Sequence, residues 1–435
     1  MRTLAKQLPL LARTLIAVTG VTFATWACAA PQTTAPAAPA LNYSPSPGAE
    51  IIPRWNAFAR SLIVSAKPNQ QEALRALAYL SLAQHEASIE ASRPDLSAPA
   101  GTGGSHSSAP STEILQTEVE VSAPGHLDRA AQLRGAIAGA SAEILAEMFK
   151  TSGQAVAAAL EAEALASAAA GEVMAQYEAG LAEGRRVGAR IVAAARTDNF
   201  DAVWDGVIPS GQGAWFSSIG RPPLLPALGK MQPFFMRTGA DFRPGPPPAI
   251  GSNAYNAALA EIVAFSDHRT AAQDSSAKFW AMATGPLVAG YWNEVATALI
   301  AKYNLNEMRA AHVLALMNTA AMDGNIACHD AKYVYWLIRP SQADPNIKPA
   351  IGLPNHPSYP SNHACLSGTA ALILANEFPA ERAQLERQAN DATESRYYAG
   401  LHYRFDGDAG LGIARNVAAL ALRVDRDLEG RLTLR

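Results

Sequence analysis

The feature that most constrains this chain is how little of it can be a strand. Long stretches are built from Ala, Glu, Leu and Gln, and β-branched runs that alternate strictly between apolar and polar are scarce. A half-buried strand needs that alternation, whereas Ala, Leu, Glu and Gln pay the least to enter a helix. The chain is therefore expected to be all-α, a large helical bundle. With 435 residues, 49% of them hydrophobic, it can bury a substantial core. Length alone does not separate one large domain from two. A net charge of -3 lacks the basic excess that nucleic-acid binding demands, so nucleic acid is set aside as a partner.

At the N-terminus, Arg2, Lys6 and Arg13 surround the start of an apolar run from Leu15 to Ala24, and Ala27-Cys28-Ala29 offers small residues for cleavage. This is the pattern of a secretory signal over residues 1–29, and it implies an exported protein, periplasmic or secreted. A lipidated Cys28 is a second reading, disfavoured because Thr25 and Trp26 fit poorly before it; an uncleaved anchor is a third. Residues 30–48, rich in Pro, Ala, Thr and Ser, read as a disordered tether, which leaves 49–435 as the folded domain. No later segment reaches the roughly 20 apolar residues that cross a bilayer, so the mature chain is expected to be soluble. Removing the signal leaves Cys328 and Cys365. A disulfide between them is open in an oxidising compartment, and two separate buried thiols is the preferred reading.

Along the domain, Gln70 to Ala91 is expected to be a helix buried nearly all round. It carries His85-Glu86, but Ile89 stands where a zinc-protease helix needs its second His, which removes the metal reading. Residues 94–127 read as a long surface loop, and 129–197 as helices broken at Gly171, Gly180 and Gly184. Pro209 to Gly251 is expected to be an irregular connection. Helical patterns resume at Asn253 and continue through Glu294–Tyr303 and Glu307–Leu337, where Pro340 ends the last of them.

Three segments carry chemistry. Lys332 and Arg339 lie seven apart on the predicted helix and so return to nearly one face, although such a pair alone is more often a solvated helix end. Next, His356-Pro357-Ser358-Tyr359-Pro360-Ser361-Asn362-His363 leads into an apolar helix. Ser361 or Asn362 can cap it, the first-turn amides then face an anion, and His363 can exchange a proton there. Taken singly, a capped helix with an incidental His is the commoner explanation. In the third segment Arg396 offers a planar donor fork, and Asp406 stands one turn beyond His402, where it can accept the Nδ1 proton and leave Nε2 as nucleophile or ligand.

Taken together, these segments read Lys, six residues, Arg-Pro; then Pro-Ser-x-His; then Ser-Arg, five residues, His, three residues, Asp. This resembles the three-part signature shared by vanadium haloperoxidases, bacterial class A acid phosphatases and the lipid phosphatases of the type-2 phosphatidic acid phosphatase superfamily. The match covers Lys332 to Gly410; a looser similarity to bacterial haloperoxidase-like proteins reaches back through Pro233-Phe234, Pro246-Pro247-Pro248 and Phe279-Trp280. The resemblance implies an all-α domain of the haloperoxidase and acid phosphatase type. It also implies that Lys332, Arg339 and Arg396 hold the equatorial oxygens of vanadate or phosphate, with the Ser361 hydroxyl and the Asn362 amide assisting. His402 would bond vanadium axially or attack phosphorus, and His363 would be the acid-base partner.

Two departures stand out. Asn362 replaces the usual Gly, and His329 stands where haloperoxidases often carry Trp. His356 occupies a position where algal bromoperoxidases also have His, and with His329 it is assigned to the halide or substrate pocket. One cage of cations and amides serves both chemistries, because five-coordinate vanadate has the shape and charge of a phosphoryl-transfer transition state. In the haloperoxidase reading the cofactor is vanadate and the substrates are hydrogen peroxide and a halide, bromide or iodide favoured. In the phosphatase reading there is no cofactor and a phosphomonoester is the substrate. The length of helical sequence before the signature favours the first. A non-catalytic oxyanion binder is the reading from another class; intact His363, His402 and Asp406 speak against it, because binding alone needs only cations and amides.

Overall fold

The computed structural model describes residues 51–93, 126–282 and 285–434. The expected signal, the tether and nearly all of the expected 94–127 loop lie outside the described residues. Among the described residues thirteen α-helices follow one another: α1 (Ile51–Ala66), α2 (Gln70–Ala91), α3 (His126–Met148), α4 (Gly153–Ala169), α5 (Met174–Ala195), α6 (Asn253–His268), α7 (Ala271–Phe279), α8 (Leu287–Lys302), α9 (Glu307–Tyr335), α10 (Pro340–Ala343), α11 (Asn362–Glu377), α12 (Arg382–Tyr398) and α13 (Arg404–Asp427). Among the described residues there is no strand, only an isolated bridge between Ala214 and Leu337, and no helix is long and apolar enough to cross a membrane.

Local chemistry explains the main elements. Asn69 starts α2 with a capping box: its Oδ1 accepts from Gln71 N and Glu72 N at 3.0 Å, and Glu72 Oε2 accepts from Asn69 N at 2.8 Å. The helix is apolar nearly all round because α3, α5, α8 and α9 surround it. At the centre of the fold stands α9, buried almost without break from Ala310 to His329 and packed by α2, α8, α11 and α13.

Two sequence expectations fail here for physical reasons. Of the three glycines expected to break helices, only Gly171 does so, in a left-handed turn (φ 73°) between α4 and α5. Gly180 and Gly184 lie inside α5, where a Cβ would come within 2.0 Å of Gln132 O and 1.9 Å of Ala136 O on α3. Gly135 and Gly139 of α3 answer them: a Cβ there would come within 2.1 Å of Tyr177 O and 2.5 Å of Leu181 O. These glycines let two backbones touch. The second failure is the end of α9, which stops at Tyr335 rather than Leu337. Trp336 turns left-handed (φ 50°, ψ 33°) and its N–H closes on Lys332 O at 2.9 Å; Pro340 then opens α10 instead of ending α9.

From Arg196 to Ser252 the chain is irregular apart from one short 3-10 turn, as expected for a proline- and glycine-rich connection. Asp323 in the middle of α9 fastens it, accepting from Phe234 N, Phe235 N and Met236 N at 2.7, 2.8 and 3.0 Å. Further along, Trp215 N donates to Trp336 O (2.7 Å), and Gly245 O accepts from Tyr359 OH (2.7 Å). The connection thereby becomes a wall beside the 356–363 segment.

Candidate active site

The last turn of α9 sends Lys332 into the 356–361 loop. All three of its ammonium protons find carbonyls there: Pro357 O at 2.9 Å, Ser358 O at 2.8 Å, and Pro360 O. Arg339 reaches the same loop from outside the helix. Its Nε donates to His356 O (3.0 Å), Nη1 to Leu401 O (2.9 Å) and Nη2 to His356 Nδ1 (3.1 Å). The expectation that the two cations share a helical face is corrected by Trp336, which ends the helix between them. They converge because they grip one loop.

The third cation, Arg396 near the end of α12, donates through Nε to Ser395 Oγ and through Nη2 to Ala277 O, both at 2.9 Å. Lys332 and Arg339 are fully buried and Arg396 is 2% exposed, yet among the described residues none of them forms a salt bridge. Burial accordingly pulls all three down: Lys332 to about 8, Arg339 to about 10 and Arg396 to about 9. Buried cations without carboxylates are costly, and a bound anion relieves that cost.

At the mouth of α11 the structure departs from the expected cap. Ser361 holds the N-cap position, but its hydroxyl bonds no first-turn amide; its Oγ is buried without a partner, as is Asn362 Oδ1. Ser361 N is instead committed to Asp406 O at 2.9 Å. His363 Nε2 donates to Trp280 O at 2.8 Å, which leaves Nδ1 as the acceptor. Burial, then Arg396, holds His363 well below its ordinary range.

His402 lies just before α13, in the turn that Asp406 organises. Asp406 Oδ2 accepts from His402 Nδ1 at 2.8 Å, from Ser358 Oγ at 2.5 Å and from Tyr403 N at 3.2 Å. The proton of His402 is thereby fixed on Nδ1, and Nε2 carries the lone pair. Burial raises Asp406 to about 7, opposed chiefly by the Ser358 hydroxyl and Lys332. Burial likewise depresses His402, helped by the charges of Arg339 and Lys332 and by the neighbouring His356 and His363. The residues expected from sequence thus lie in one electrostatic neighbourhood.

His356 and His329 occupy its inner side, with ring centroids 5.9 Å apart. A guanidinium only donates, so His356 Nδ1 accepts from Arg339. Burial lowers His356 well below its usual range and His329 to about 3. Cys328 and Cys365 are free buried thiols, and Cys328 Sγ is directed at Pro360 O (3.7 Å). Sequence reasoning assigned no role to Ser358, nor to the carbonyls of Ala277 and Trp280 that hold Arg396 and His363. Only the fold brings α7 to these groups.

Compared with known proteins, the fold is that of the vanadium haloperoxidases. A bacterial vanadium-dependent iodoperoxidase superimposes over 88% of this chain and 96% of its own, with a TM-score of 0.67 and 19% identity. A holo-type bacterial vanadium-dependent chloroperoxidase covers 83% of this chain and 93% of its own, with a TM-score of 0.60 and 12% identity. A non-specific acid phosphatase of Providencia stuartii is 29% identical over 122 residues, 27% of this chain and 49% of that protein. The chain thus aligns with about half the length of that curated relative. No family model matches the chain. These similarities fit the superfamily that unites vanadium haloperoxidases with type-2 phosphatidic acid phosphatases.

Proposed function

We propose that the chain is a vanadate-dependent haloperoxidase that oxidises bromide or iodide with hydrogen peroxide. The observation that carries this reading is the cradle: three buried cations without a carboxylate partner beside an unpartnered Ser361 hydroxyl and an imidazole locked as its Nδ1–H tautomer. That donor set fits vanadate. Lys332, Arg339 and Arg396 would neutralise its oxygens, Ser361 Oγ and the Asn362 amide would donate to them, and His402 Nε2 would be its protein ligand. Vanadate, when bound, supplies a Lewis-acid centre that activates peroxide without changing its own oxidation state.

The chain's own residues do the rest. Asp406 keeps the His402 lone pair presented, and Ser358 keeps Asp406 in place. His363, anchored through Nε2 to Trp280 O, accepts and returns a proton at Nδ1. His329 and His356 form the inner wall of the pocket for halide or an organic acceptor. Export of the chain is supported by the basic and apolar pattern of residues 1–29.

The sequence similarity to an acid phosphatase favours a second reading, a phosphomonoesterase of the same superfamily. There His402 Nε2 forms a bond to phosphorus as the ester bond breaks, and His363 protonates the departing alcohol. The extent of structural agreement with haloperoxidases supports the first reading. Purified protein loaded with orthovanadate should oxidise bromide or iodide with peroxide and should do neither before loading. Phosphomonoester hydrolysis without vanadate, and no halide oxidation with it, would promote the phosphatase. A third outcome, oxyanion binding that survives His363→Ala with no turnover in either assay, would mark a pure binder.

A further inference from the structure

Apolar residues fill most of the buried length of α9, but Asn318, Asn325, His329 and Lys332 recur on one side of it, spaced by seven, four and three residues. At one end of this stripe the amides of Asn318 and Asn293 pair with each other. Asn318 Nδ2 donates to Asn293 Oδ1 (2.9 Å), Asn293 Nδ2 returns a bond to Asn318 Oδ1 (2.7 Å), and Asn56 Nδ2 joins Asn293 Oδ1 (2.7 Å). At the other end Lys332 enters the cradle. Between them stands Asn325, 1% exposed, whose Oδ1 and Nδ2 both lack a protein partner.

Across from His329, Gln71 of α2 is 3% exposed and its Oε1 also lacks a partner. Its Nε2 lies 3.5 Å from His329 Nε2. Because His329 Nδ1 donates to Asn325 O (3.1 Å), Nε2 is the acceptor in that contact. Asn325 and Gln71 therefore present donors from the Asn325 amide and acceptors at Asn325 Oδ1 and Gln71 Oε1, with no charged side chain between them and His329. Leaving such groups bare is costly, which is why buried polar clusters of this kind bind small polar molecules. A halide would satisfy only the N–H groups and leave two carbonyl oxygens bare. A cation would meet the field of Lys332 and Arg339.

We propose that Gln71, Asn325 and His329 form a binding site for a small neutral hydroxylic molecule, one to two helical turns behind the oxyanion cradle. Water and hydrogen peroxide share that chemistry, each donating and accepting; the peroxide source rests on the haloperoxidase reading, the water source does not. Occupation by peroxide would stage the oxidant beside the cradle.

The test uses the full, vanadate-free protein, so its result is separable from any failure of halide oxidation. The His329 ring nitrogens are followed by NMR in wild type, Asn325→Leu and Gln71→Leu. A saturable shift of Nε2 on adding peroxide, reversed by catalase and lost in both variants, assigns the site to peroxide. No shift with peroxide, but a displaced Nε2 signal in both variants and ordered solvent between Asn325 and Gln71 in a high-resolution crystal structure, assigns it to water. The proposal is overturned if His329 is indifferent to both variants and the variants gain stability, as removal of truly bare amides would predict. Gln71→Leu keeps the test alive should Asn325→Leu fail to fold, because it leaves α9 intact.

Discussion

The α3–α5 seam and the oxyanion cradle are both tightly packed, but for opposite reasons. In the seam, Gly135 and Gly139 sit against the backbone of Tyr177 and Leu181, and Gly180 and Gly184 against that of Gln132 and Ala136, so close approach of two backbones sets the packing. In the cradle, large charged side chains are buried against carbonyl oxygens that balance their charge incompletely. The seam spends glycine, at roughly 1 kcal/mol of helix propensity per residue, to gain contact. The cradle buries unpaired charge at a cost in stability, which under the proposed function a bound anion would offset. A volume change should therefore damage the first, and a charge change the second.

The largest effect is expected at the seam. In Gly184→Val the new Cβ would sit 1.9 Å from Ala136 O, a backbone atom that can retreat only if the two helices part. We expect a loss of at least about 3 kcal/mol of unfolding free energy, read from denaturant titration by circular dichroism. An unchanged midpoint would show that the seam is not set by backbone contact. The cradle should respond in reverse to Arg396→Met, which removes a buried charge but keeps much of the volume. Stability should hold or rise, by up to about 4 kcal/mol, since an apolar side chain replaces an unpaired cation. Phosphate or vanadate affinity should fall at least about 100-fold, equivalent to roughly 2.7 kcal/mol, and the stabilisation of the wild type by excess phosphate should vanish. A variant that lost stability while retaining phosphate affinity would erase the distinction between the two regions.

The same contrast explains what was legible in the sequence. Fixed spacings around Lys332, Ser361 and His402 were readable because a signature of charged and polar residue types at set intervals stands out whatever the surrounding path. The start of α2 was readable because Asn69 and Glu72 satisfy a helix end locally. Gly180 and Gly184 were misread as breaks because a glycine that permits contact and one that permits a turn look alike until the partner helix is in place. Trp336 in a left-handed conformation defeats any residue preference, since a bulky residue rarely adopts it; the Lys332 O hydrogen bond holds it there. Ser358 and the carbonyls of Ala277 and Trp280 carry no sequence signal of their own, because their roles arise only from tertiary approach.

The smallest effect, and the one that reads both ends of the molecule at once, concerns acid. His85 on α2, far along the chain from the signature segments, donates through Nε2 to Gly430 O (2.9 Å). Its ring lies 5.4 Å from that of His312, which is held by Asp425 at 2.7 Å and contacted by Arg309. Burial first, then His312, lowers His85 to about 3, against the opposing pull of Gly430 O and Asp425. The unfolded chain takes up this proton near pH 6.5 and the folded one does not, so the stability it confers is complete above that pH and is lost as pH falls toward 3. The slope is up to about 1.4 kcal/mol per pH unit. His329, His356, His363 and His402 are depressed in the same direction within the cradle, while Asp406, raised to about 7, opposes them as pH falls from there to its ordinary range. A bound oxyanion raises the affinity of the cradle histidines for protons but leaves His85 untouched. Unfolding free energies between pH 7 and 4.5 should therefore fall less steeply in His85→Gln, which keeps a donor for Gly430 O, by at most one proton's worth of slope. Saturating phosphate should flatten the curve further and additively. If phosphate alone removed all of the slope, the His85 end would carry no acid sensitivity, and the asymmetry drawn between the cradle and the rest of the fold would fail at that point.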